Sequence, residues 1–138
     1  MDLRPGRSSL GGPRKFYEEL GERLCEAVAI VARYDSVRDK DGETRRERNE
    51  SFETESPEVE VPDHGAFIWE WFWELRQAQP PGFSGPVPIS NVEVSVWCQL
   101  TGNIIRREEL AILRALDARF CIEIEAESEA IREREATT

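Results

Sequence analysis

A chain of 138 residues is one domain's worth of protein, too short for two full cores. Its 18 Lys and Arg stand against 28 Asp and Glu, a formal charge of -10. That sign argues against nucleic acid, whose binding is driven by cations displacing counterions from phosphates, and against an anionic membrane surface. With 39% hydrophobic and 33% charged residues, part of the chain is expected to stay solvated.

Residues 1–15 carry four cations and one acid among Gly, Pro and Ser, and read as a disordered basic tail. No apolar stretch of signal-peptide type precedes Phe16. The longest apolar runs, at residues 27–32 and 67–69, are far too short to span a bilayer. Cys25, Cys98 and Cys121 are odd in number and scattered, which fits a reduced, cytoplasmic chain and core thiols rather than a disulfide framework or a zinc site.

Residues 16–34 predict a helix. Phe16, Leu20, Leu24, Ala27, Val28 and Val31 recur at helical spacing, with Glu18, Glu19, Glu22 and Glu26 opposite them. Gly21 weakens it by about 1 kcal/mol relative to Ala. Residues 35–62, with ten acids, five bases and few large apolar groups, read as an acidic linker, with a short extended piece at 58–61. Such a segment buries too little to offset about 1–2 kcal/mol of backbone entropy per ordered residue.

From residue 63 the pattern changes to a three-helix module ending near residue 125. Asp63 is placed to cap a helix that stops before Pro80-Pro81-Gly82. A Gly/Pro loop covers 82–88. Ser90 and Glu93 then have capping-box spacing, and Gly102 suits a left-handed C-cap. The last helix starts near Arg106, and its tail, residues 126–138, reads as a charged helix or disordered end bordered by solvent or a partner. The class is therefore all-α, a small helical bundle plus a separate N-terminal helix.

The second helix is the most informative. Ile68, Trp71, Phe72 and Leu75 form one core-facing stripe. Together with Trp97, Leu100, Leu113, Leu116 and Phe120 they make the expected core. Trp69, Trp73 and Arg76 fall on another face, and Phe67 widens the apolar zone. A helix apolar on several faces is either wrapped in an aromatic core or offers a surface to a partner; the latter reading makes Trp69, Trp73, Arg76 and Phe67 the partner-binding residues.

Catalytic patterns are weak. GFSG and LTG lack phosphate-loop spacing, Ser90 already has a capping role, and His64 stands alone. Glu70 and Glu74 share a helix face but have no companion His. Asp117 lies near the apolar stripe of the last helix, where pairing with Arg76 or Arg114 is favoured over general-base duty. No catalytic residue, metal or cofactor is assigned. A nucleic-acid mimic is disfavoured, because the acids are spread over linker and tail.

The ordered combination WEWFWELRQ, GFSGPVPIS, VSVWCQLTG and LRALDARF resembles the phage tail assembly chaperones, over residues 66–122. The resemblance implies a non-enzymatic protein that covers the hydrophobic tape-measure protein in the host cytoplasm during tail assembly, with the tail-tube subunit as a second candidate partner. A structural tail or neck subunit and a small hydrolase are the competing readings. The resemblance leaves the oligomeric state open.

Overall fold

Leu20, Leu24, Ala27 and Val28 fall at i, i+4, i+7 and i+8, one stripe of a 3.6-residue helix. In the computed structural model, which describes residues 12–79 and 85–137, helix α1 (Gly12–Ile30) buries all four. The chain then widens into a π-helical turn (Val31–Asp35), closed by the Ser36 hydroxyl donating to the Val31 carbonyl at 2.8 Å. Helix α2 (Arg45–Ser51) follows, then a 3₁₀ turn (Asp63–Gly65), α3 (Ala66–Gln77), α4 (Asn91–Thr101) and α5 (Arg107–Ala136). Among the described residues there is no strand, and the fold is an all-α bundle.

Helix α5 is the spine. Thirty residues at 1.5 Å each give about 45 Å of helix. Its first half sends Ile112, Leu113 and Leu116 into the core, where they meet Leu20, Leu24 and Val28 of α1 and Ile68, Phe72 and Leu75 of α3. Each such side chain contributes roughly 1.5–3 kcal/mol by leaving water. Helix α1 runs parallel to α5: Gly21 lies beside Ile112, Arg33 reaches Glu123 and Glu127, and the Lys40 amide donates to Glu135. Helix α3 runs antiparallel to α5, with Trp73 on Phe120 and Arg76 on Asp117.

Several sequence expectations differ from the structure. The N-terminal helix is not a separate element, because its apolar stripe supplies three of the nine side chains of the central core. Residues 35–62, expected as a linker, contain α2 and are tied down largely by charge, with Val61 packing against the core at their end. The Thr44 side chain and Glu47 form a capping box at the start of α2. Arg46 holds Asp35 at 2.7 Å and the Pro57 carbonyl at 2.8 Å. Arg45 crosses to Glu127 on α5 at 2.7 Å. The charged stretch expected to border solvent or a partner is helical through Ala136; Glu129, Arg132 and Glu133 do face solvent, while on its other side Glu127 is fully buried between Arg33 and Arg45.

Asp63 does not cap α3, which begins through the 3₁₀ turn without a side-chain cap. Ser90 and Glu93 do form a capping box on α4, and Gly102 ends it at φ 76°. Leu100, expected in the core, is 82% exposed, because α4 presents its Trp97 side to α3. Residues 12–15, expected as the end of a disordered basic tail, form the first turn of α1; residues 1–11 of that tail, and 82–84 of the expected Gly/Pro loop with the preceding 80–81, lie outside the described residues.

Candidate partner-binding surface

Only the Glu70–Glu74–Gln77 side of α3 is polar and exposed. Its central stripe is core. On one flank, Trp69 and Trp73 meet edge to face at 5.5 Å, and Trp73 meets Phe120 of α5 at 5.7 Å. On the other, Phe67 packs on Trp71 at 4.9 Å and Trp71 on Trp97 of α4 at 5.7 Å. These are the offset edge-to-face contacts that aromatic quadrupoles favour. The two flanks form a half-exposed aromatic collar around a buried stripe.

The four sequence candidates separate in space. Trp69 and Trp73 stay together, half-buried, while Phe67 lies on the opposite flank and is 39% exposed. Arg76 joins the Trp73 flank through Phe120, its guanidinium 4.9 Å from that ring's centre, but its charge is spent inside the fold. It holds Asp117 at 2.5 Å and donates to the Val87 carbonyl at 3.0 Å. The second Asp117 oxygen accepts the Ile89 amide at 2.8 Å. The pairing of Asp117 with an arginine, favoured from sequence, is present, and it fastens the segment leading into α4 onto α5. Arg114, the other arginine considered, donates instead to Asn91 at 2.8 Å.

Of the residues considered for catalysis, Ser90 and His64 are engaged elsewhere, and Glu70 and Glu74 lie on the solvent-exposed side of α3. The Ser90 hydroxyl accepts the Glu93 amide at 3.1 Å. His64 is exposed and lies against the Phe16 ring at 5.1 Å. Burial pushes the Cys25 thiol up, with Arg119 opposing only in part, and burial likewise raises Cys121; neither is tuned as a thiolate nucleophile. Asp39, Asp41 and Glu43 are the group of carboxylates close enough together to share a cation among the described residues. One Asp39 oxygen already accepts the Asp41 and Glu43 amides and the other faces Arg134 at 3.3 Å, the bonding of a turn.

The main concavities among the described residues escaped the sequence reading. A solvent-open groove of about 1070 Å³ runs between α1 and α5, with Tyr17, Gly21 and Cys25 on one wall and Ala111 and Ala115 on the other. A smaller apolar cavity of about 240 Å³ lies beneath α4, among Phe72, Leu75, Val94, Leu110 and Leu113. Helical spacing of small residues was the one sequence signal for the groove. The cavity had none, since it depends on how far α4 stands from α5.

The sequence profile of phage tail assembly chaperones matches residues 43–121, more than half of the chain. The chain belongs to the phage tail assembly chaperone family. The match takes in α2, the aromatic α3, α4 and the core-forming half of α5, so the chaperone unit begins well before the resemblance at residues 66–122. Helix α1 lies outside the matched span, although it completes the core. Comparison with curated proteins and with solved structures returns no match. The role is that of a chaperone in tail assembly, acting on tail proteins. No helix among the described residues is long and apolar enough to cross a membrane.

Proposed function

We infer that this chaperone binds the tape-measure protein in the host cytoplasm while the tail is built, without catalysing a reaction, and that the aromatic collar of α3 is its contact surface. The observation that carries this reading is a helix whose central stripe is already buried and whose two flanks still leave aromatic rings partly open, Phe67 exposed and Trp69 and Trp73 half-buried. Rigid aromatic anchors give large contact area at low entropic cost, and a long helical client presents apolar stripes that such a surface covers. Phe67, Trp69 and Trp73 make the contact; Arg76 supports it from within, paired with Asp117 and lying over the Phe120 ring. Tail-tube subunits are a second class of client. The net charge of -10 keeps loaded complexes apart by mutual repulsion.

The test is a co-expression pull-down with the phage's tape-measure protein, comparing wild type with a W69A/W73A variant and with F67A, each checked for its helical far-UV signal. The expected result is capture by wild type, and loss by the double variant with helicity retained. Undiminished capture by both variants removes the collar from the reading. Mass spectrometry of purified particles separates a transient chaperone, absent from mature virions, from a structural tail subunit present in fixed stoichiometry.

A further inference from the structure

Beyond Val28 on α1 and Phe120 on α5 the bundle is held by a different kind of contact. Among the described residues, nothing between residues 29 and 60, and nothing of α5 after Phe120, belongs to the central apolar core or to the half-buried apolar shell around it. Ala32 and Ile131 are buried here but stand apart from that core, and α2 buries no side chain. What joins this segment to α5 is a row of α5 positions four apart: Glu123, Glu127, Ile131 and Glu135. Arg33 reaches Glu123 and Glu127 at 3.2 Å each, and Arg45 reaches Glu127 at 2.7 Å. The Lys40 amide donates to Glu135 at 2.9 Å, and Asp39 faces Arg134 at 3.3 Å. Residues 31–57 are also bound to one another. Arg46 holds Asp35 and the Pro57 carbonyl, Arg38 holds Glu47 at 2.8 Å, and the Asn49 amide donates to the Ser56 hydroxyl at 2.9 Å.

We propose that residues 31–57 are a charge-latched strap over the C-terminal half of α5, with Glu127 as the latch, and that the strap opens as a unit while the core of α1, α3 and α5 stays closed. The two parts differ in what opening exposes. Opening the core brings large apolar side chains into water. Opening the strap returns Glu127 and both guanidiniums to water together, so the hydration they regain offsets the ion pairs that break. A segment held in this way opens at lower free energy than the core, as a sub-global unit. Its internal bonds keep it together as it lifts. One hinge is the π-helical turn, where the hydrogen-bond ladder of α1 changes register. The other is the irregular stretch 58–60, before Val61 meets the core. Glu127 is the latch because it is fully buried and takes an arginine from each of two places in the strap. Without its charge, the closed strap holds Arg45 with no carboxylate at that point. The open form presents the acidic row of α5, with Ile131 in it, which the closed form hides.

Native-state hydrogen exchange on the full chain, read by mass spectrometry at low urea concentrations, tests this. Amides of α2 and the π-helical turn are expected to be protected at least about tenfold less than those of residues 20–28, 68–75 and 112–116. Their protection should also depend less steeply on urea, because opening the strap exposes less surface. E127Q should lower strap protection by about a further tenfold or more, and E129Q, on the solvent side of α5, should leave it unchanged. R45M, which leaves Arg33 on Glu127, is the milder variant and should act in the same direction as E127Q. I112V, inside the core, separates the two parts: it should lower core protection severalfold and leave the strap as it was, since the strap opens with the core intact. Strap protection equal to that of the core in size and urea dependence, an equal loss in both parts on I112V, or a strap indifferent to both E127Q and R45M each overturns the proposal.

Discussion

Asp117 and Arg76 show how much one pair of residues arranges. Asp117 sits on a helix face otherwise occupied by Leu113, Leu116 and Phe120, where an unpaired carboxylate is costly. Arg76 and the Ile89 amide satisfy it together, so one side chain links α3, α5 and the segment entering α4. Removing it leaves a buried guanidinium without its counter-charge, a loss of about 3–5 kcal/mol. D117A is therefore expected to lower the urea midpoint sharply, and the R76M/D117L double variant to recover much of the loss. If D117A unfolds at the wild-type midpoint, the pair carries no structural role. The existence of an arginine partner was legible from Asp117's place on an apolar stripe. The choice of Arg76 over Arg114 was not, because it depends on the antiparallel packing of α3 on α5.

Two glycines make opposite predictions at the scale of elements. Gly21 interrupts α1, and a Cβ there would meet only Ile112 Cγ1 at 3.5 Å, ordinary contact. G21A is expected to stabilise the protein by about 0.5–1 kcal/mol through helix propensity. Gly65, where the 3₁₀ turn enters α3, lies against α1: a Cβ would come within 2.5 Å of Leu20 Cδ1 and 3.3 Å of Leu24 Cδ1. Both leucines are buried, so G65A forces repacking that costs about 1–3 kcal/mol. Thermal melts of the two variants should move in opposite directions, and a shift of the same sign for both would refute the described seating of α1 on α3. The penalty at Gly21 was readable from sequence alone. The constraint at Gly65 was not, because it arises from a helix more than forty residues away.

Across the whole molecule, charge does work that composition alone concealed. Hydrogen bonds from Arg119 and Arg33 outweigh the burial that would raise Glu123 and hold it below the usual carboxylate range. Asp39 is lowered first by the Glu43 amide, Glu47 by the Thr44 amide and Glu93 by the Ser90 amide. A carboxylate whose native pKa is depressed adds stability that is fully present above its unfolded value, about 4–4.5, and lost as pH falls through the native one. Melting temperature is expected to hold from neutral pH to about 5 and then fall steadily with acid. R33M, which removes one of the bonds to Glu123, should soften that fall; a melting temperature unchanged down to pH 2 would show that these ionisations are not coupled to folding.

The boundary between what was readable and what was not follows the range of the interactions. Helical class, the caps at Ser90 and Gly102, the core stripe of α3 and the family resemblance rest on residues within a turn or two of each other, where spacing and backbone hydrogen bonding decide the outcome. Leu100 facing out, Arg76 facing in, and residues 31–48 covering the end of α5 rest on contacts such as Arg33 to Glu127, 94 residues apart. By itself the sequence determined which helices form and which of their faces are apolar. Only the tertiary structure decided which of those faces are covered and which remain open to a partner, because an apolar stripe or a lone charge specifies the need for a neighbour and not its identity.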